Sequence, residues 1–335
     1  MEEAWACYPR FNDESGVNSD HHQKVGIAGI EYALPECRMT LRDLHEAGRL
    51  DSAAERLAEF GFGTIHVSNT PAETLAREAI DKLVRRSNLD AESVDAVFYA
   101  GAIPASHAVG GTNGEFLTGF NYPVARLQYE FGLRKAVTVG ISQAGCMGLM
   151  SAVKCASDFL LANPEARQAL CVSADVFPTN AKREIIYNVI SDGACALLVE
   201  KDASLNRIVA QRQITKGYYW DSTEKKNELV ASYFPTAKHI VKETLAAAAI
   251  GLGDVACIIP HNVSLRSWEI LLGLLGLPRE KLFTDNIATK GHVIAADNFI
   301  NLKDAADAGK LRRGDKLLLF NFGFGANWGC LVLEH

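Results

Sequence analysis

Cys146 lies in the stretch Ile141-Ser-Gln-Ala-Gly-Cys-Met-Gly148, where the apolar run Ala136-Val-Thr-Val-Gly140 gives way to helical spacing of apolar residues from Leu149 to Leu161. A thiol at a helix N-terminus feels the positive end of the peptide dipoles, which favours the nucleophilic thiolate. Gly145 and Gly148 leave room beside the sulfur for another backbone or a substrate. The competing reading is a small buried hydrophobe, and this motif taken alone supports both equally.

Three downstream segments carry the other groups able to do chemistry. In Ile258-Ile-Pro-His-Asn-Val263, His261 follows the end of a buried strand, the place where ligands and catalysis collect in α/β sheets. By itself such a histidine reads more readily as structural. Ala288-Thr-Lys-Gly-His-Val-Ile-Ala-Ala-Asp-Asn298 supplies His292 and, five residues on, Asp297. On a helix that spacing is slightly more than one turn, near enough for the carboxylate to orient an imidazole; otherwise Asp297 caps a helix and His292 packs. Phe320-Asn-Phe-Gly-Phe-Gly-Ala-Asn-Trp-Gly329 is a glycine-interrupted turn between strands, either a plain hairpin or a backbone N–H offered to a developing oxyanion. No helix or G-K-[ST] follows it, so it is not a phosphate-binding loop. In combination these pieces read as a Cys/His/His arrangement with an oxyanion turn, suited to moving a thioester's acyl group onto Cys146 while the imidazoles activate a second substrate.

Composition bounds the alternatives. The chain has 335 residues, 48% hydrophobic and 22% charged, with net charge −6: a globular profile, long enough for two domains or one duplicated unit, and not that of a nucleic-acid binder. No run of about 18 apolar residues stands out, so no membrane association is expected. The acidic N-terminus lacks the apolar core of a signal peptide, which makes the cytoplasm the expected location. The eight cysteines, Cys7, Cys37, Cys146, Cys155, Cys171, Cys195, Cys257 and Cys330, form no C-x-x-C pair, and Asp20-His21-His22 has no third ligand nearby. Reduced thiols, no metal and no cofactor are therefore expected.

The elements that must position these groups alternate. Residues 1–24 are polar and read as an extension, mobile or packed on a partner surface. Strands are expected at 25–30, 94–100, 136–140 (buried), 169–174, 193–199, 255–259, 282–283, 316–321 and 329–333. Helices are expected at 41–47, 53–59, 72–86, 115–131, 149–161, 237–249, 265–275 and 294–308. Residues 207–235 read as a polar, irregular connector. Such alternation gives α/β layers with largely parallel, buried strands, in two halves of similar rhythm, 25–203 and 204–335.

The chain resembles the thiolase-like β-ketoacyl-[acyl-carrier-protein] synthases of the type III branch, from about Val25 to His335. The resemblance is carried by Ala105-Ser-His-Ala108, the Cys146 elbow, Ser191-Asp-Gly-Ala194, Pro260-His-Asn262 and the closing Phe-Gly-Phe-Gly-Ala-Asn-Trp-Gly. It implies a five-layered αβαβα fold of two similar halves and a homodimer. It further implies Cys146 as acyl-accepting nucleophile, His261 as the histidine of the P-H-[QN] motif, and an oxyanion hole from the backbone N–H groups of Cys146 and Phe324. Arg266 and Asn262 would stand at the mouth where pantetheine enters and a carrier protein docks.

Departures from the pattern are informative. His292 falls where type III enzymes usually carry asparagine, and Thr289-Lys-Gly-His292 resembles the second motif of elongating members, which use two histidines. The H-x4-D pattern of His292 and Asp297 also resembles a specialised branch of secondary metabolism, which primes polyketide synthases or acylates a hydroxyl or amine. Glu55 and Glu59 align where a Trp and an Arg clasp coenzyme A, which favours a carrier-protein donor over the nucleotide. The segment between Tyr218 and Ala237 is shorter than the family's cap, Val109 replaces a bulky residue reaching across the dimer, and Phe324 replaces a glycine.

Two activities follow. The first is acyl transfer from a carrier-protein or CoA thioester to Cys146, then decarboxylative condensation with a malonyl thioester in fatty-acid-like or polyketide metabolism. The second is acyl transfer to an alcohol or amine, with Asp297 orienting the histidine that deprotonates the acceptor. A non-catalytic partner subunit is the third and weakest reading.

Overall fold

A computed structural model describes residues 24–103, 122–222 and 224–335. Its strands repeat one pattern twice. In the first half Val25–Ala33 pairs antiparallel with Gly193–Lys201, which pairs antiparallel with Gln168–Asp175; parallel strands Val94–Ala100 and Val137–Ile141 follow. In the second half Arg207–Thr215, Asn327–Glu334, Lys316–Gly323 and Val255–Ile259 pair in the same order and senses. Leu282, bridged in parallel to Ile258, stands where the fifth strand would be. Gly26 and Arg207 pair to join the halves.

Helices Gly148–Ala162 and Asp297–Asp307 lie between the two half-sheets, in a core that joins Val153 and Phe299 to Leu197 and Leu331. Ala72–Ser87 and Pro123–Glu130 cover the outer face of the first half, and Lys226–Ala247 and Leu265–Leu275 that of the second. The layering is αβαβα. A helix covered by sheets on both sides must be apolar nearly all round. The window Gly145–Ala162 meets that demand, with mean hydropathy 1.3 and 56% burial; by length and composition it would also suit a membrane, yet here it is a core helix.

Four expectations need correction. Val137–Ile141 is a strand but not a buried one: Val137 is 51% and Val139 41% exposed, because it is the last strand of its half. The supposed connector holds a nine-residue strand, Arg207–Thr215, whose polar residues occupy a partly exposed position in the sheet. The helix expected from 237 begins at Lys226 and runs through Pro235 to Ala247. The strands are not largely parallel: of the eight strand pairs in the large sheet five are antiparallel and three parallel. Of the helix expected over 115–131, residues 115–121 lie outside the described residues and Pro123–Glu130 is helical. Val109 and the motif at 105–108 lie outside the described residues, as do Cys7, His21 and His22.

Candidate active site

Cys146 sits in a single turn of 3₁₀ helix, Gly145–Met147, that leads into the core helix. Gly145 has φ +53°, and a Cβ there would stand 2.7 Å from the Phe324 backbone nitrogen, so only glycine lets the 323–325 turn approach this closely. A Cβ at Gly323 would collide with the Ala144 carbonyl oxygen. The cysteine elbow and the glycine turn are thus locked backbone to backbone, with the Phe324 ring on the wall of the cavity beside Cys146.

The sulfur lies 3.2 Å from His292 Nε2, and His292 Nδ1 lies 2.5 Å from Asp297 Oδ2. Asp297 is the first residue of its helix and is fully buried. Its carboxylate also accepts the Asn262 N–H (2.6 Å) and the Val293 N–H (2.6 Å). For the chain to turn back this sharply Ile294 adopts φ +49°, a left-handed conformation that costs a β-branched residue about 1–3 kcal/mol. Burial by itself would depress the basicity of His292; the Asp297 charge and the neighbouring sulfur outweigh it, and its pKa stands well above 6.5.

His261 follows the strand Val255–Ile259, with its ring 6.0 Å centre to centre from that of His292. Trp268 and Phe320 contact it edge-on at 5.9 Å each, and the Trp268 indole donates to its carbonyl. Both ring nitrogens are buried without a protein partner among the described residues. Burial, then the charge of His292, pushes its pKa well below 6.5, so this imidazole stays neutral.

A polar face on helix Asp297–Asp307 fixes these segments relative to one another. The Asn298 amide donates to the carbonyls of Ile259 (2.9 Å) and Phe320 (3.1 Å) and accepts from Asn321, which in turn donates to the Cys146 carbonyl (2.9 Å). Asn301 donates to the Pro260 carbonyl and to the Asn262 side chain. Asn262 is fully buried, and its amide donates to the Gly291 carbonyl. It is therefore not at a mouth, as expected above: its side chain is used up tying the His261 segment to the His292 turn. Arg266 stays on the surface of helix Leu265–Leu275, beside Glu269. Ser191 and Asp192 are structural neighbours, Ser191 donating its N–H to the His292 carbonyl and Asp192 pairing with the buried Arg183 at 2.5 Å.

Cys146, His261 and His292 all line one cavity of about 140 Å³, completed by Ile186, Tyr233, Phe234, Phe322 and Phe324 among others. Tyr233 and Phe234 belong to the segment read as an irregular connector. The apolar spacing of Leu229, Tyr233, Ala237 and Ile240 was the available signal, and Pro235 disguised it. Ile186 gives no such signal. It is held by a tight hairpin whose two turn residues, Ile186 and Tyr187, both have positive φ, where asparagine and glycine are the usual occupants. Glu55 and Glu59 are exposed on the short helix Ala54–Glu59.

The layered duplication, with a cysteine at the start of the core helix and two histidines converging on it, defines a thiolase-like acyl-transfer protein. Comparison with known proteins is specific to a branch. Residues 142–217 match 3-oxoacyl-[acyl-carrier-protein (ACP)] synthase III, and residues 245–335 match the C-terminal part of the same family. The β-ketoacyl-[acyl-carrier-protein] synthase III of Aquifex aeolicus (strain VF5) is 25% identical over 272 residues, covering 78% of this chain and 83% of that protein. Two solved structures share the fold. "ChlB3 [Aceyltransferase]" has a TM-score of 0.80 at 23% identity, covering 93% of this chain and 97% of that one. The priming β-ketosynthase from the R1128 polyketide biosynthetic pathway has a TM-score of 0.75 at 17% identity, covering 95% and 98%. The chain belongs to the thiolase-like β-ketoacyl-[acyl-carrier-protein] synthase III family, a family of acyltransferases.

Proposed function

We propose that Cys146 takes an acyl group from a thioester and that the acyl-enzyme then condenses with a malonyl-type thioester. The observation that carries this reading is the pair of imidazoles lining one cavity with Cys146, His292 at 3.2 Å from the sulfur, with their environments pushing the two pKa values in opposite directions. In the first step the thiolate attacks the donor carbonyl, the carbon–sulfur bond of the donor breaks, and His292 returns the proton to the leaving thiol. The backbone N–H groups of Cys146 and Phe324 hold the oxyanion. His292, reprotonated because its pKa is high, then presents Nε2–H beside the neutral His261. Two donors on the malonyl thioester carbonyl stabilise the enolate as carbon dioxide leaves. The enolate carbon attacks the acyl-enzyme, and Cys146 departs as thiolate.

One observation favours a second reading. The His292–Asp297 contact also suits a general base, so a neutral His292 would deprotonate an alcohol or amine acceptor. The two readings differ in sign with pH. Condensation needs His292 protonated and declines as pH rises through its raised pKa; acceptor deprotonation needs it neutral and climbs over the same range. Incubation with an acyl donor and malonyl-carrier protein across that range, following carbon dioxide and β-ketoacyl product, is expected to show release that falls on the alkaline side. No release with any donor of a broad panel, together with ester or amide formation that rises with pH, would establish the second reading instead.

The donor belongs with a carrier protein rather than coenzyme A, supported by the exposed Glu55 and Glu59, and Arg266 is a surface cation suited to the carrier's acidic face. The exposed edge of Val137–Ile141 supports a homodimer formed by strand pairing, as an unpaired edge invites a second strand. We place the boundary of the halves between residues 203 and 204, after an extension of residues 1–24, and the protein in the cytoplasm within secondary metabolism.

A further inference from the structure

The wall of the Cys146 cavity is aromatic and aliphatic, and a few polar atoms interrupt it. Most are already committed. Asn188 accepts the Ser264 N–H at 3.1 Å, Ser267 stands 3.4 Å from the Ser264 hydroxyl, and the two imidazoles belong to the chemistry above. Tyr233 is different. Its ring is fixed edge-on by Phe234 (5.0 Å), Phe322 (5.2 Å) and Phe320 (6.3 Å), yet its hydroxyl makes no hydrogen bond with the described residues. The Cys146 charge helps to push its pKa up, after burial, so the phenol stands within electrostatic reach of the sulfur. Tyr233 is half-buried on the cavity wall, so the hydrogen bond of its hydroxyl is left to whatever fills the cavity, water or an acyl group; phenylalanine would fill the same space without that demand.

We propose that the Tyr233 hydroxyl reads an oxygen on the acyl group that Cys146 carries, so that the preferred donor is a compact oxo- or hydroxy-acyl thioester rather than a plain alkyl one. The inference rests on the acyl-enzyme reading above. Size follows from the cavity: its 140 Å³ is close to the volume that holds a benzene molecule, which corresponds to an acyl group of about four to six carbons. Apart from His292, which the chemistry above uses, no lysine, arginine, aspartate or glutamate lines this wall, so nothing in it matches an acyl group ending in a carboxylate or ammonium. In the acylation the donor's carbon–sulfur bond breaks, the bond from Cys146 Sγ to the acyl carbon forms, and the thiol proton leaves with the released thiol. Tyr233 takes no part in that exchange and binds only the side oxygen.

The test is a competition in one tube. Equal amounts of butyryl, 3-hydroxybutyryl and acetoacetyl pantetheine thioesters are offered to the protein, and the masses on Cys146 are read by intact mass spectrometry at early times. Because the three donors meet the same molecules, the ratio of adducts is independent of how much enzyme is active. The wild type is expected to favour an oxygenated acyl group over butyryl by about tenfold, the worth of one net hydrogen bond. Tyr233→Phe is expected to bring that ratio close to one. Equal labelling by all three donors in the wild type, or a preference that survives in Tyr233→Phe, overturns the inference while leaving the acyl-enzyme intact. Absence of any adduct on Cys146 from all three takes down the acyl-enzyme reading, and this inference with it.

Discussion

Cys146→Ala is expected to lower turnover by at least about a thousandfold and to abolish the covalent acyl adduct, with thermal stability close to that of the wild type. The magnitude follows from the role: a covalent nucleophile cannot be replaced by its neighbours, and its loss leaves only what binding and a preformed oxyanion site contribute. The small effect on folding follows from the surroundings. The sulfur is only partly buried and its side-chain hydrogen bond is to His292, whereas the Cys146 backbone is held by Asn321. Rates with an acyl donor and malonyl thioester, alongside intact masses, check both halves. Turnover within about tenfold of the wild type would remove Cys146 from the mechanism.

The second large effect is expected at Asp297→Asn, a loss of about a hundredfold to ten-thousandfold in turnover. Asp297 is the main source of positive charge retention on His292 and orients its ring through Nδ1. Asparagine keeps the shape but removes the charge, and it turns one of two acceptors toward the Asn262 and Val293 N–H groups into a donor. The stability of the protein should respond as well. A histidine whose folded pKa is raised stabilises fully below its unfolded value, about 6.5, and that contribution fades as pH rises through the folded pKa. His261 acts in the opposite sense, since a depressed folded pKa means stability is lost as pH falls below about 6.5. Asp297→Asn should therefore remove the alkaline decline while keeping the acid one. Denaturant midpoints measured from pH 5 to 9 read this directly, and an unchanged alkaline limb would show that His292 is not held charged by Asp297.

How legible all this was depended on the physics of each residue. The elbow at Cys146, the strand-end His261 and the spacing from His292 to Asp297 are short-range patterns, and the structure brings all four side chains to one place. The layered order of strands was legible for the same reason. Arg207–Thr215 was missed because a strand at a half-exposed position keeps its polar residues and loses the apolar signature. The helix around Tyr233 was missed because Pro235 reads as a break, though the Thr236 hydroxyl returns a hydrogen bond to the Ser232 carbonyl in that turn. Asn262 is expected at the mouth only through the family resemblance. Its true neighbours, Asn301 and Gly291, are 39 and 29 residues away in the chain, and no local pattern marks such a pairing. The exposure of Val137–Ile141 was invisible for the converse reason: an apolar strand at the edge of a sheet has the same composition as one buried inside it.

The central claim is that the acyl group travels on Cys146 and leaves by condensation. A single-turnover experiment addresses it most directly: load the protein with an acyl donor, map the adduct by peptide mass spectrometry, then add malonyl-carrier protein and follow the adduct and carbon dioxide together. The expected result is an acyl group on the peptide containing Cys146, discharged in step with one equivalent of carbon dioxide per adduct lost. An adduct on another residue, or an adduct on Cys146 that malonyl-carrier protein leaves untouched, would contradict it.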